Sequence, residues 1–137
     1  MIINSLAFSK LFHCSNVWAN TSKCNINKPE AGQNFACRIV SCVRKCDHIT
    51  PIGKEINWLL VANQLYYRSA TMAFKCMMGH APEYLSFKFL KRAEVSGRST
   101  RNSQLLNIPL FKTASSQRTF YYRTVSLWNS LDRKSVV

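Results

Sequence analysis

Two close Cys and His pairs raise the question of catalysis: His13 adjoins Cys14, and His48 stands two residues beyond Cys46. A thiol and an imidazole make a nucleophile only when the thiolate is stabilised and the ring is oriented by a third group. The spacing identifies no third group, so both pairs read as core or turn residues. Cys37, Cys42, Cys46 and His48 also place four metal-ligating side chains within twelve residues. Zinc sites usually pair cysteines two to four apart across a turn. On a single helix, at about 100° per residue, Cys42 and Cys46 would lie about 40° apart and Cys37 about 180° from Cys46. One tetrahedral ion could not reach all three. The expectation is therefore thiols without a metal and a chain without a cofactor, and a small zinc-binding module built on the Cys37–His48 cluster is the alternative.

Carboxylates are scarce. Two-metal nucleotidyl chemistry needs two or three acids converging on paired cations about 3.5–4 Å apart. The chain has six Asp and Glu, no two of them neighbours, and its only aspartates are Asp47 and Asp132. No catalytic residue is assigned and no small-molecule substrate is expected.

Cations are plentiful, with 19 Lys and Arg giving a net charge of +13 over 137 residues. Such a field attracts polyanions. Residues Ser86 to Val137 hold ten Lys and Arg against two acids, a net +8, while the first 85 residues carry +5. RNA or DNA, held through its backbone, is the expected partner. Arg98 and Arg101 lie in the polar run Ser96–Ser103, which reads as a loop, and Arg118 and Arg123 flank Phe120, Tyr121 and Tyr122. These four arginines are the candidate phosphate contacts. The neighbouring rings, with Trp128, have two readings: base-stacking platforms beside the cations, or core residues whose arginine neighbours are solvated.

Length and apolar content then limit the scaffold. One domain of this size can bury a real core, and 47% hydrophobic residues are too many for a disordered linker. No run approaches the ~20 apolar residues of a membrane span. Met1–Phe12 has its only cation, Lys10, inside the stretch and not ahead of it, unlike a secretory signal. An intracellular protein, cytoplasmic or nuclear, with six free thiols is expected, in preference to a secreted chain whose six cysteines would form three bridges.

The apolar spacing predicts a mainly α fold: a small helical domain over residues 1–95 and a basic, less regular C-terminal segment over 96–137. Residues 1–20 suit a helix running into a polar turn at Asn20–Lys28, with Pro29 in a first helical turn. Phe35, Ala36, Ile39, Val40 and Val43 recur at spacings of three and four, predicting an amphipathic helix over Gln33–Cys46 with those residues facing the core. A second helix is expected over Val61–Met78, burying Leu65, Ser69, Met72, Ala73 and Cys76 and stopping at Gly79. A third opens at Ala81–Leu85 and runs to about Arg92. Leu105–Phe111 suits a short strand interrupted by Pro109, and Phe120–Leu131 fits either helix or strand.

The order of several short stretches adds a resemblance. His13–Trp18, Gln33–Val40, Asn57-Trp58-Leu59, Phe74-Lys75-Cys76 with Gly79, and Ala81–Leu85 come first. Arg98–Asn102 with Ile108-Pro109, Gln117–Phe120 and Leu127-Trp128-Asn129-Ser130-Leu131 follow. Together they resemble the region downstream of the polymerase core in reverse transcriptases of non-LTR retrotransposons, most closely the jockey-like elements. The resemblance covers nearly the whole chain. It implies a non-catalytic C-terminal fragment of an RNA-directed DNA polymerase, because the family's Tyr-x-Asp-Asp-type metal site and its endonuclease lie upstream and have no positions here. In the parent protein such a region would hold template RNA or target DNA. The chain departs from the family pattern at Pro29, where a Leu-rich helix usually continues, at Cys46, where an aromatic is common, and at Asp132, where Pro usually follows Trp-Asn-Ser-Leu. Those departures also suit a non-functional coding remnant, the other alternative.

Overall fold

The computed structural model describes residues 4–97 and 100–134. The fold is mainly helical, with no strand among the described residues. The chain divides into two compact units, Met1–Leu65 and Tyr66–Val137, so the division falls ahead of the change in composition near residue 96.

Unit 1 begins with a π-helical turn, Asn4–Phe8, followed by the short helices α1 (Ser9–Leu11) and α2 (Ser15–Trp18). Next come α3 (Lys23–Ser41), α4 (Ile49–Glu55) and the first residues of α5 (Val61–Met77). Phe12, Ala19, Val61 and Leu65 are its buried apolar centre, with Phe8, Leu11, Trp18 and Ile26 packed around them. The Phe8 ring meets Phe12 and Trp58 edge-on, at centroid distances of 6.1 and 4.9 Å, an arrangement that favours aromatic pairs beyond the area they bury.

Helix α3 corrects the expectations in three respects. It starts within the segment read as a polar turn and carries Pro29 inside it. Proline supplies no N–H for the Asn25 carbonyl four residues back, and Asn25 is exposed, where water can take that acceptor. The helix also ends at Ser41 and not at Cys46. Cys42 takes a left-handed conformation (φ 52°), and the Val43 N–H donates to the Arg38 carbonyl at 3.2 Å, closing the C-terminus as glycine usually does. Finally, the buried face carries Gln33 and Cys37, while Phe35, Ile39 and Val40 are exposed. Spacing predicts that a face is apolar. It does not say that the chain supplies a surface to cover it.

Unit 2 holds the rest of α5, then α6 (Glu83–Ser86), α7 (Arg92–Ser96), α8 (Ala114–Gln117) and α9 (Phe120–Lys134). Ala73, Cys76, Phe89, Leu106 and Val125 form its buried centre. Helix α5 has the expected register: Leu65, Ser69, Ala73 and Cys76 are buried and Met72 is half-buried. Gly79, at φ 73°, ends it, as the His80 N–H reaches the Lys75 carbonyl at 2.9 Å. Helix α6 stops at Ser86 instead of running to Arg92. The segment read as a strand makes a single antiparallel bridge, Leu106 to Lys91, and is otherwise irregular.

That bridge organises the unit. The Arg92 N–H donates to the Leu105 carbonyl and the Asn107 N–H to the Leu90 carbonyl, both at 2.9 Å. The N–H and C=O of Leu106 point the other way, where the Asn129 side-chain amide meets both. Its Oδ1 accepts from the Leu106 N–H and its Nδ2 donates to the Leu106 carbonyl, each at 3.0 Å and buried. One side chain on α9 thus does for Leu106 what a second strand would do, and no buried backbone polar group is left unpaired at that residue.

Candidate nucleic-acid interface

The predicted phosphate contacts all belong to unit 2, and their surroundings differ. Arg98 lies outside the described residues. Arg101 sits on an exposed turn between α7 and the Leu106 bridge. Gly97, at φ 62°, starts that loop, because a left-handed residue is needed to leave α7. The loop is closed by the Ala93 N–H donating to the Ser103 carbonyl at 3.1 Å, and tightened by Ser103 N–H to Thr100 O and Leu105 N–H to Asn102 O. At its base the Glu94 carboxylate accepts from the Lys91 N–H at 3.0 Å, and the Lys91 ammonium donates to Gln104 Oε1 at 3.2 Å. Lys91 and Arg92 are therefore held on the ladder that carries Arg101. The sequence reading did not single out these two cations.

Arg118 is exposed at the C-terminal end of α8. The turn around it is fixed by Thr113, whose hydroxyl accepts from the Ser116 N–H at 3.3 Å, and by the Thr119 hydroxyl, which donates to the Ser116 carbonyl at 2.7 Å. Arg123 on α9 is half-buried. Burial holds its guanidinium below the usual arginine range, and Tyr66 beside it partly offsets this. Arg101 and Arg118 are solvent-facing cations suited to phosphate, whereas Arg123 lies partly out of water.

The rings of α9 settle into the core reading. Phe120, Tyr121 and Trp128 pack against the buried centre of unit 2. Tyr121 meets Phe89 edge-on at 5.4 Å and donates its hydroxyl to the Asn107 carbonyl at 3.1 Å, and Tyr122 packs on Phe111 at 5.9 Å. Burial pushes the Tyr121 phenol pKa up. None of these rings is fully exposed to receive a base. The exposed rings of unit 2 include Tyr66, Tyr67 and Phe74 on α5, Tyr84 and Phe87. The signal for Tyr67 and Phe74 was present in the sequence, since they fall opposite the face that buries Ser69, Ala73 and Cys76.

The structure does not assemble the other constellations. Cys37 is buried on α3, where desolvation pushes its thiol pKa up and Arg38 partly counters it, while Cys42, Cys46 and His48 are exposed beyond the helix end. Among the described residues no three His, Cys, Asp or Glu side chains are placed to hold a metal ion. His13 and Cys14, and likewise Cys46 and His48, have no side-chain hydrogen bond to one another. All six cysteines are free. No helix among the described residues is long and apolar enough to cross a membrane.

No protein-family model matches the chain, and neither a curated protein nor a solved structure matches it.

Proposed function

We propose that this chain is a non-catalytic C-terminal portion of a non-LTR retrotransposon reverse transcriptase, acting inside the cell, in cytoplasm or nucleus, to hold RNA or DNA by its phosphate backbone. The observation that carries this reading is the distribution of charge. Twelve Lys and Arg against three acids lie in Tyr66–Val137, a net +9, and Arg101 and Arg118 stand exposed on turns fixed by hydrogen bonds. Backbone contacts of this kind position a polyanion without reading its sequence. The apolar strip on α3 left in solvent supports a parent protein with further surface to offer, because exposed apolar patches mark places where another surface docks.

The test is binding of the full chain to labelled RNA and DNA between about 50 and 200 mM salt. Counterion release predicts a straight fall of log affinity against log salt, with a slope of about −0.7 per neutralised phosphate for single strands and −0.9 for duplex. Replacing Arg101 and Arg118 by Ala together is expected to make that slope shallower by about two phosphates, roughly 1.4 to 1.8. Absence of binding at low salt, or affinity independent of salt, overturns the proposal. Primer extension by the purified chain overturns its non-catalytic part.

A further inference from the structure

Two of the rings that face solvent in unit 2 form, with Met78 just past the helix end, an ordered strip along α5. Tyr67, Phe74 and Met78 are 63%, 46% and 57% exposed. At about 100° per residue they fall within about 40° of one another, roughly opposite the face of Ser69, Met72, Ala73 and Cys76. Tyr67 and Phe74 are two full turns apart, about 10 Å along the axis. Lys75, exposed, borders the strip on one side. Tyr66, with the Arg123 guanidinium close enough to interact with it, lies about 80–100° round the helix from the two rings, toward Ala73. The Thr71 hydroxyl donates to the Tyr67 carbonyl at 2.8 Å.

An exposed apolar strip needs a stated occupant, and here charge selects one. Unit 2 carries +9, which opposes a second copy of itself and favours a polyanion. The two largest side chains of the strip are aromatic, and a ring offers a π-face on which any base can stack. A duplex keeps its base faces inside its own stack, whereas an unpaired strand presents them. We infer that α5 is a stacking surface for unpaired RNA or DNA bases, with Tyr67 and Phe74 as platforms and Lys75 along one edge. This inference rests on the nucleic-acid reading above and adds to it the preference for single strands and the residues that confer it.

The experiment compares a labelled 20-nucleotide oligouridylate with an RNA duplex of the same length, using the full chain at low salt. In the doubly substituted Tyr67→Leu, Phe74→Leu variant the strip keeps apolar bulk and loses its π-faces. Single-strand affinity is expected to fall about tenfold or more, with duplex affinity and the salt slope unchanged. The Tyr67→Phe, Phe74→Tyr variant is expected to bind both as the parent does. Both rings lie outside the core, so melting of each variant is expected to follow the parent. Parental single-strand binding by the Leu variant, or equal loss on single strand and duplex, overturns the inference while leaving the backbone-binding proposal in place. Absence of nucleic-acid binding by the parent overturns both. Vesicles rich in phosphatidylserine give the remaining arm: loss of vesicle binding by the Leu variant, with oligouridylate binding kept, assigns the strip to a lipid surface and overturns the inference.

Discussion

The two units solve the same packing problem with different completeness. Unit 2 gathers residues from α5, the Phe89 and Leu106 segments and α9 around one buried centre, and its irregular segment is tied down on two sides. Unit 1 gathers a smaller centre from its N-terminal turns and the start of α5, and its longest helix turns an apolar strip to solvent. Its buried Gln33 shows the contrast most directly. Gln33 Nε2 donates to the Leu59 carbonyl at 2.7 Å, but Oε1 is buried with no partner, whereas both polar atoms of the Asn129 amide are matched. The same functional group closes one unit and is half-used in the other. Unit 2 is not free of such costs, since the Thr124 hydroxyl is buried without a partner as well.

The largest expected effect comes from breaking that contrast at its strong end. Asn129→Ala leaves the N–H and C=O of Leu106 without their partners, and an unsatisfied buried group costs about 1–3 kcal/mol, so the variant is expected to lose about 2–6 kcal/mol in a denaturant titration. Gln33→Ala removes one part-buried hydrogen bond, to the carbonyl of the exposed residue Leu59, together with the unpartnered Oε1. It is expected to cost about 0.5–1.5 kcal/mol. Equal losses in the two variants would dissolve the difference between the units.

That clamp also marks the limit of what the sequence could tell. Helix α5 was legible from end to end, because a period of 3.6 and a glycine stop are both local signals. The type of α9 was not, since aromatic and β-branched residues such as Tyr121, Tyr122, Thr124 and Val125 suit a strand as well as a helix. Pairing of Asn129 with Leu106 joins residues 23 apart and has no local signature at all. The Trp-Asn pair was visible in the stretch Leu127–Leu131, but its physical reason appears only when Trp128 packs on the centre and Asn129 meets Leu106. The cationic loop was legible from its composition, though its supports, Lys91 and Arg92, were not. Helix α3 misled for a physical reason: Asn and Pro residues are poor helix formers, yet they lie at exposed or half-exposed positions where solvent takes the groups they leave open.

A smaller effect sharpens the picture of unit 2. Burial raises the Tyr121 pKa, so the folded chain holds a proton that the unfolded chain releases near pH 10. The associated stability is complete below that pH and is lost as pH rises through the folded-state value. Tyr121→Phe is expected to cost about 0.5–1.5 kcal/mol at neutral pH through the lost bond to the Asn107 carbonyl. Above about pH 10 the parent should lose stability more steeply than the variant. The buried thiols of Cys37 and Cys76, whose pKa values burial also raises, are common to both proteins and cancel in the difference. Parallel pH profiles would place the phenol in water and loosen the packing of α9 on Phe89.

The smallest expected effect is the most direct test of unit 1. If spacing alone decided burial, Phe35 would be a core residue, and Phe35→Ala would cost about 3–5 kcal/mol. At 65% exposure the ring has little to lose. A surface substitution away from caps and buried networks stays within about 0.5 kcal/mol, and Ala is the better helix former. Phe35→Ala is therefore expected to leave the unfolding midpoint of the full chain within that margin. A loss of core size would show that the α3 strip is covered in solution, and the contrast between the two units would have to be redrawn as one between two closed cores.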